Sequence, residues 1–405
     1  MPEPALDQRQ TSLFVLRLGH ALHASGYAAH SLEEILLKVC DRLEVVGQFF
    51  TTPTAIIASF GPLDRQQTHL IRVQPGELNL GRLSALHDVV HGVLSGTLTP
   101  QAGSSQIDRI LTKRPTYPWW LRVFGYAIVS GAGCKFLGGG YDDVVVSAGV
   151  GLLIGFIALA FKRFTITSHV FELTATFVAS ALVSLIATQG FRISIPTATL
   201  ASIITLLPGL TITVAMTELA SRHLAPGSAR LSSAFIVFAA MTFGVALGTA
   251  VVTAAYGGPV RSYTPERLPA WTQFAALAIA PIGFSLLLRA RPRDIPLVCG
   301  ASWLGYLGFQ GGATHLGQVL GASIGTLTVG LASNAFERLR LGPASVPLVP
   351  GVLLLVPGSL GYNSLTMLLN QNLESGLSAG ITAVLTAVAL AGGLIVANVL
   401  VPPTK

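Results

Sequence analysis

The segment LLPG at residues 206–209 and the segment LVPG at residues 355–358 each place a Pro-Gly pair inside a long apolar run. Proline and glycine interrupt the hydrogen-bond ladder of a helix, and lipid has no other partner for the freed N–H and C=O groups. Such a break is tolerated in a membrane only where it lines a cavity. The two segments therefore predict two discontinuous membrane helices that line an internal cavity.

The alignment of the two segments predicts an internal duplication. A shift of 149 positions superposes 206–209 on 355–358 without a gap. The same frame aligns Leu219 with Leu368, Gly227 with Gly376 and Gly244 with Gly393. Small residues recur often in membrane helices, so one match alone carries little weight. Several matches in one frame around the break indicate a repeat.

Composition defines the class of protein. Hydrophobic residues make up 51% of the chain and charged residues 11%, which is typical of a polytopic helical membrane protein. The formal net charge is +7, but basic and acidic residues balance up to Arg114, so the excess lies in the apolar region and argues against a nucleic-acid-binding face. Cys40, Cys134 and Cys299 form no CxxC spacing, so we expect neither a disulfide framework nor a zinc site.

The first 114 residues, called the head below, predict a small soluble α+β domain. Apolar residues follow a helical spacing over 13–25. Three further helices are predicted from capping patterns at Ser31 with Glu34, at Asn79 and at Thr99. Residues 49–60 and 68–73 are rich in β-branched and aromatic residues and predict strands.

The N-terminus gives no sign of a cleavable signal peptide. It begins with polar residues, and Arg17, His20 and His23 interrupt the apolar residues that follow. We therefore expect the head to remain on the side of the membrane where it is made.

His87 and His91 invite a metal interpretation, because two imidazoles four residues apart lie on one face of a helix. The glutamate of the metalloprotease motif is replaced by Asp88, and the sequence supplies no third ligand. We interpret both as surface or structural histidines and expect no metal and no cofactor.

The rest of the chain divides into ten apolar segments of membrane-spanning length. They are residues 119–138, 143–161, 168–188, 195–219, 232–256, 269–288, 294–311, 314–336, 343–369 and 377–400. The fourth and ninth are long and carry the Pro-Gly pairs. The sequence thus predicts two five-helix membrane repeats, over 115–262 and 263–405.

Basic residues in the loops predict the orientation. If the head is cytoplasmic, the loops on its side carry Lys162, Arg163, Arg222, Arg230, Arg289, Arg291, Arg293, Arg338, Arg340 and Lys405. The loops on the other side carry Arg192, Arg261 and Arg267. Because basic residues concentrate on the cytoplasmic side, ten spans with both termini in the cytoplasm are predicted. Five spans per repeat is an odd number, so the second repeat is expected to be inverted, as in many secondary transporters.

The helix breaks supply the predicted substrate site. A half-helix that begins after a break has unpaired N–H groups and a positive dipole end, which suit a carboxylate. The predicted substrate-binding residues are Pro208, Gly209, Thr211, Thr213, Pro357, Gly358, Tyr362 and Asn363. The alternative for the polar side chains is that they only join packed helices.

Ionisable residues within or beside the spans are costly in lipid and are candidates for proton coupling. The predicted proton-coupling residues are Glu172, Glu218 and Asp142, with Glu172 ranked first. Asp142 and Asp143 fit equally well as a solvated loop that caps the second span. Glu218 fits equally well as half of an ion pair with Arg222, four residues later.

Several motifs in order resemble the threonine/serine exporter family. They are LxxSG at 22–26, PT at 53–54, RV at 72–73, NLxRL at 79–83, FLGGGYD at 136–142, LPG at 207–209 with EL at 218–219, PA at 343–344, VPG at 349–351 and VPGSxxY at 356–362. The resemblance covers nearly the whole chain. It implies a bacterial inner-membrane exporter of small hydroxy amino acids, driven by the proton gradient, with a cytoplasmic N-terminal domain. We expect no enzymatic activity.

Other functions remain as alternatives. A dicarboxylate exporter would need a second positive group at the site, which Lys135 or Arg192 could supply. A membrane-anchored hydrolase would act through the head, where no nucleophile, base and orienting group follow in order. A passive channel is a third alternative. The expected partners are a small solute and the lipid bilayer, and the oligomeric state is left open, with a homo-oligomer among the alternatives.

Overall fold

The computed structural model describes residues 3–74, 76–164, 168–355, 358–369 and 371–402. The fold is mostly helical, with 74% of its residues in helices. The head occupies one end of a larger set of apolar helices.

The head is an α+β unit with one hydrophobic core. Its helices are α1 (Glu3–Ala24), α2 (Ala29–Arg42), α3 (Leu80–Leu94) and α4 (Pro100–Thr112), and its strands are β1 (Gly47–Thr52), β2 (Ala55–Phe60) and β3 (Gln67–Arg72). The strands pair antiparallel in the order β1-β2-β3. Phe14, Leu18, Leu36, Ile56 and Leu86 form the centre of the core and are at most 1% exposed.

Two predicted helix starts in the head are confirmed. The Asn79 side chain accepts a hydrogen bond from the N–H of Arg82 at 3.0 Å and caps α3. Thr99 accepts one from the N–H of Ala102 at 3.3 Å and caps α4. Both are local contacts, which is why the sequence pattern was sufficient to predict them.

The predicted cap at Ser31 is wrong, because α2 already begins at Ala29. The N–H of Ala29 donates to Glu218 of a distant helix at 3.3 Å, so a tertiary contact satisfies the first turn of α2 in place of a local cap. The predicted strand over 49–60 forms two strands, β1 and β2, since the chain turns at Pro53 and Thr54.

The remaining helices follow the predicted apolar segments. Eight segments form one helix each: α5 (Trp119–Phe136), α6 (Tyr141–Arg163), α7 (Ser168–Thr188), α10 (Leu224–Ala255), α11 (Trp271–Leu287), α12 (Ile295–Leu316), α13 (Gln318–Arg338) and α16 (Leu373–Leu400). The two segments with Pro-Gly pairs form two helices each: α8 (Ile195–Ser202) with α9 (Gly209–Ala220), and α14 (Ser345–Leu353) with α15 (Gly358–Leu369). A 3₁₀ turn, Ile204–Leu206, follows α8, and the segment bends by 48°.

The chain is a multi-pass helical membrane protein. Within the described residues, six helical segments are long and apolar enough to cross a membrane when α14 and α15 are counted as one segment, and the bent pair α8 and α9 would be a seventh. The helix α11 is apolar but has only 17 residues and is shorter than these. The count of ten spans stays a prediction.

The same helix pairs pack in both halves of the membrane region. In the first half α7 packs on α10, α9 on α10 and α6 on α8. In the second half their counterparts pack alike, α13 on α16, α15 on α16 and α12 on α14. The correspondence follows the frame in which the two Pro-Gly segments align.

The head binds one end of the membrane region, called the head side below. The N–H of Leu80 donates to the carbonyl of Leu288 at 2.9 Å, and the N–H of Gly81 to the carbonyl of Arg289 at 3.1 Å. Ala290 is fully buried in the core of the head. The opposite end, the far side, holds the loops that follow α5, α7 and α10, where Asp143 accepts a hydrogen bond from the N–H of Ser194 at 2.7 Å.

Candidate functional site

The two helix breaks meet in space. A Cβ atom built on Gly358, the first residue of α15, would lie 3.1 Å from Cβ of Leu207 and 3.5 Å from Cα of Gly209. Gly209 is the first residue of α9. The amino-terminal ends of both half-helices therefore converge on one point, and a helix terminus leaves its first N–H groups without intrahelical partners.

A cavity of about 430 Å³ lies at this point and is called the break cavity below. Its wall includes Leu207, Gly209 and Leu210 from the first break and Leu355, Gly358, Ser359 and Leu360 from the second. Helices α5, α11, α12, α13, α14 and α16 complete the wall. The volume is within the range of small-molecule sites, which are mostly apolar with a few polar groups.

The predicted substrate-binding residues divide between the cavity wall and the helix interior. Gly209 and Gly358 line the break cavity. Thr213 is buried and its hydroxyl donates to the carbonyl of Gly209 within α9, while Tyr362 is 4% exposed and packs in a hydrophobic cluster. Thr211 and Asn363 are half-buried and are not among the lining residues, Pro208 is the residue before α9, and Pro357 lies outside the described residues.

The polar wall of the break cavity comes from residues that the sequence interpretation missed. They are Gln318, Ser359, Thr382 and Thr386. Thr382 and Thr386 are four residues apart on α16, so one helical face carries both, and that spacing was readable in the sequence. Their hydroxyls each donate to a carbonyl one turn earlier in the helix, and a hydroxyl oxygen that donates can also accept a bond from a ligand.

Glu218 is fully buried at the head-side end of α9. Nε of Arg230 donates to both of its carboxylate oxygens, at 3.1 and 3.0 Å, and the N–H of Ala29 at the start of α2 donates to one of them. The alternative of a pair with Arg222 is wrong, because Glu218 binds Arg230 instead, and the exposed Arg222 lies beyond the end of α9 at Ala220 with a positive φ of 64°.

The other two proton-coupling candidates lie at opposite ends of the membrane region. Glu172 is half-buried near the start of α7 and is not among the lining residues of the break cavity. Asp142 is exposed on the far side, in the first turn of α6. Its neighbour Asp143 is buried and accepts hydrogen bonds from the N–H groups of Gly140 and Ser194, so Asp143 caps α6 and joins two far-side loops.

A second cavity, of about 270 Å³, lies between the head and the membrane region and is called the head-side cavity below. Arg122, Lys162 and Arg289 contribute cations to its wall, and Glu77 of the head contributes a carboxylate. Nζ of Lys162 lies 2.5 and 2.7 Å from the two oxygens of Glu77, and Nη2 of Arg289 lies 2.9 Å from one of them. Burial raises the pKa of Glu77, but Lys162, Arg289 and Arg122 lower it more, so the pKa is below its ordinary value.

The 3₁₀ turn of the first broken segment separates the two cavities. Thr205 lines the head-side cavity, whereas Ile204 lines the break cavity. Helices α5 and α11 contribute residues to both walls. The 3₁₀ turn before Pro208 therefore lies between the head-side cavity, which is charged, and the break cavity, which is mostly apolar.

Arg122 is a charged residue that the sequence interpretation missed. It lies inside the predicted span 119–138, where an arginine is costly, so its position was a readable signal. Lys135 and Arg192, the cations considered for a dicarboxylate, line neither cavity. Nζ of Lys135 donates to the carbonyl of Leu268 at 3.4 Å, and Arg192 is exposed.

The histidines of α3 do not form part of either cavity. His87 is half-buried and His91 is exposed. Among the described residues, no group of three or more His, Cys, Asp or Glu side chains is placed to hold a metal ion.

Fold and site together define the class of protein. Broken helices that meet at a cavity inside a multi-pass helical membrane protein are characteristic of membrane transporters. A family model described as "Putative threonine/serine exporter" matches residues 13–252, and a second, "Threonine/Serine exporter", matches residues 273–400. The chain belongs to the threonine/serine exporter family, in a form that joins both parts in one polypeptide.

Curated relatives share the name Pheromone-regulated membrane protein 10. The protein from Debaryomyces hansenii is 30% identical over 365 residues, which cover 87% of this chain and 36% of the relative. The protein from Eremothecium gossypii is 29% identical over 366 residues, 88% of this chain and 49% of the relative. The chain thus spans about a third to a half of the length of these relatives. No solved structure matches the chain.

Proposed function

We propose that the chain is a secondary active exporter of a small hydroxy amino acid, threonine or serine, and that the solute passes through the break cavity. The observation that carries the proposal is the approach of Gly358 to Leu207 and Gly209, which brings two breaks from opposite halves of the chain to one site. Lipid cannot satisfy the backbone groups freed at either break, and a polar solute can.

In this proposal the two half-helices bind the carboxylate of the solute. The first N–H groups of α9 and α15 point along their axes and carry the positive ends of two helix dipoles. Ser359, Thr382 and Thr386 on the cavity wall are hydrogen-bond partners for the hydroxyl and the ammonium group. Thr211, Thr213, Tyr362 and Asn363, on the same half-helices, reach the solute when the halves move.

We further propose that the membrane region is built of ten spans in two inverted repeats, 115–262 and 263–405, next to a head of residues 1–114. Inversion predicts that equivalent helix ends lie on opposite sides. The end of α9 contacts the head through Glu218, and the end of α6 contacts it through Lys162. Among the described residues, the side-chain hydrogen bonds near the ends of their counterparts, α12 and α15, stay within the membrane region.

The proposed orientation has the head in the cytoplasm, in a bacterial inner membrane. Lys162, Arg230, Arg289 and Arg291 bind carboxylates on the head side, which agrees with the excess of basic residues expected there. Export would then be driven by protons that enter from the far side. Glu172 is the proposed proton carrier, with Glu218 and Asp142 as the alternatives, and no enzymatic activity is proposed.

Counterflow in proteoliposomes tests the function. Vesicles are loaded with threonine, and uptake of labelled threonine, serine and succinate is followed with and without an imposed pH gradient. We expect exchange of threonine and serine that responds to the gradient. Absence of exchange for all three solutes would contradict the proposal.

The charge of the head-side cavity favours one other candidate, a dicarboxylate exporter. Arg122, Lys162 and Arg289 outnumber the single carboxylate of Glu77 there. Exchange of succinate without threonine or serine in the same vesicles would establish that candidate instead.

A further inference from the structure

We infer that the head-side cavity is a binding site for the carboxylate of a small solute, and that Glu77 of the head competes with that solute for the cations of the site. The site is distinct from the break cavity, and it lies between the head and the 3₁₀ turn Ile204–Leu206. The claim that the solute binds here on its way out depends on the proposed function. The claim that a carboxylate binds in this cavity does not.

The charge of the cavity favours an anion. Three cations come from three separate helical elements: Arg122 from α5, Lys162 from the last turn of α6, and Arg289 from just beyond α11. Glu77, on the head, is the carboxylate that faces them. One negative charge and three positive charges give the head-side cavity a net positive charge. Its apolar walls strengthen the electrostatic attraction for an anion.

Two buried polar atoms in the wall lack a hydrogen-bond partner. Among the described residues, neither Nε of Arg122 nor Oγ1 of Thr205 makes a hydrogen bond. A buried donor without a partner is costly, and buried polar groups in folded proteins are nearly always satisfied. Both atoms carry an N–H or O–H donor and both residues line the cavity, so the two oxygens of a bound carboxylate are suitable partners for them.

Glu77 identifies the chemistry of the ligand. Its carboxylate is bound by Lys162 and Arg289, so the geometry of the cluster fits a carboxylate group. The Glu77 side chain is also 59% exposed, so it leaves the cations without having to be extracted from a packed core. A solute that binds Arg122 and Thr205 would therefore share the cluster with Glu77 or displace it.

The position of Thr205 links the site to the breaks. Thr205 lines the head-side cavity, and Ile204, the preceding residue of the same 3₁₀ turn, lines the break cavity. A carboxylate on Arg122 and Thr205 would touch the backbone that separates the two cavities. The site thus lies where a solute from the head side would bind before it reaches the breaks.

Equilibrium binding tests the inference. The full chain in lipid nanodiscs is titrated with labelled succinate and labelled threonine at low and high salt. The test variants are Arg122→Gln, Thr205→Val and Glu77→Gln. Arg163→Gln is the matched control, because Arg163 is an exposed cation beside Lys162 that does not line the cavity.

Saturable binding of one probe or both is expected. Arg122→Gln should weaken it about tenfold or more, and Thr205→Val, which removes only the hydroxyl donor, about three- to tenfold. Glu77→Gln removes the competing carboxylate and should tighten binding about two- to fivefold. Arg163→Gln should change it less than about twofold.

The inference is overturned if neither Arg122→Gln nor Thr205→Val weakens binding, or if no probe binds saturably even to Glu77→Gln. If Arg122→Gln does not fold, Thr205→Val alone still tests the binding site. Counterflow by the same variants separates the two proposals. Binding without counterflow contradicts the exporter proposal alone, and counterflow that Arg122→Gln leaves unchanged contradicts only the place of the site on the export route.

Discussion

The turn after the first broken segment and the turn after the second have the same backbone. Arg222 has φ 64°, and Gln371, at the equivalent position, has φ 61°. The N–H of each donates to the carbonyl three residues earlier at 3.0 Å. The following N–H, of His223 or Asn372, donates to the carbonyl five residues earlier, at 2.8 or 3.0 Å. The same turn follows three other helices, at Glu44, Arg289 and Arg340, so it is a general helix ending, and the equivalence of positions 222 and 371 depends on the sequence frame.

The side chains of the two turns differ where the head binds. Glu218 and Arg230 form a buried ion pair beside the first turn, and the N–H of Ala29 in the head donates to it. The equivalent positions beside the second turn hold Met367 and Ala379. The backbone conformation of the turn therefore does not require the ion pair. Of the two turns, the one beside the head has the ion pair.

Replacement of one partner of the ion pair should have the largest effect on stability. Arg230→Ala leaves the fully buried carboxylate of Glu218 without its counter-ion, which should cost about 3–5 kcal/mol. The double variant Glu218→Met with Arg230→Ala installs the residues of the second copy and should recover most of that loss. Thermal unfolding in detergent measures both.

A double variant that is as unstable as Arg230→Ala would contradict the comparison. It would mean that the first turn needs the charges for its own fold. Recovery of stability together with a loosened head, followed by hydrogen exchange of α2, would assign the pair to head binding.

The close approach of helices beside each turn gives a second, smaller effect. An added Cβ on Gly227 would lie 2.7 Å from Cγ of Leu219, and one on Gly376 would lie 2.8 Å from Cγ of Leu368. Gly227→Ala and Gly376→Ala should each cost about 1–3 kcal/mol, by similar amounts. The control Gly392→Ala, on the same helix as Gly376 with nothing near the added Cβ, should not destabilise. A loss in one copy only would break the equivalence.

Removal of the helix cap at the second turn should lower the free energy of unfolding by about 1 kcal/mol. The Asn372 side chain accepts a hydrogen bond from the N–H of Ser375 at the start of α16. Asn372→Ala removes that bond, whereas Asn372→Asp keeps an acceptor and should be nearly neutral. The first turn has His223 at this position, and its ring lies 3.9 Å from Glu33 of the head. Equal unfolding temperatures for the two variants would contradict the cap.

The contact between Glu77 and its cations should have the smallest effect, about 0.2–1 kcal/mol, because the side chain is 59% exposed. Its pKa is lowered from the ordinary value of 4.5, so its stabilising contribution is present above pH 4.5 and is lost as pH falls through the lowered pKa. The difference in unfolding temperature between the natural chain and Glu77→Gln should therefore be constant near neutral pH and vanish in acid. A difference that grows in acid would contradict the assignment.

Local chemistry explains what the sequence could predict. The Pro-Gly pairs, the caps at Asn79 and Thr99 and the apolar segments depend on residues within a few positions of one another. They were therefore found without a structure. Gly209 and Gly358 were placed at the site for the same reason, and both line the break cavity.

Contacts between distant residues explain what was missed. Ala29 and Glu218 are 189 positions apart, so no local pattern could show that the first N–H of α2 donates to a carboxylate of the membrane region. Glu77 and Arg289 are 212 positions apart, and the head-side cavity exists only once they meet. Arg122 is the exception, because an arginine inside an apolar span was visible in the sequence and was passed over.

The central claim, that the two breaks form one transport site, can be tested by a cross-link. Leu207→Cys and Gly358→Cys would place Cβ atoms about 3.1 Å apart, about 0.4 Å below the lower end of the range usual for disulfides, so the two segments must separate by about that much for the bond to form. The variant is made in a background without the natural cysteines and assayed by threonine counterflow. We predict that oxidation abolishes exchange and that reduction restores it. Equal exchange by the oxidised and reduced protein, with the cross-link verified, would contradict the account.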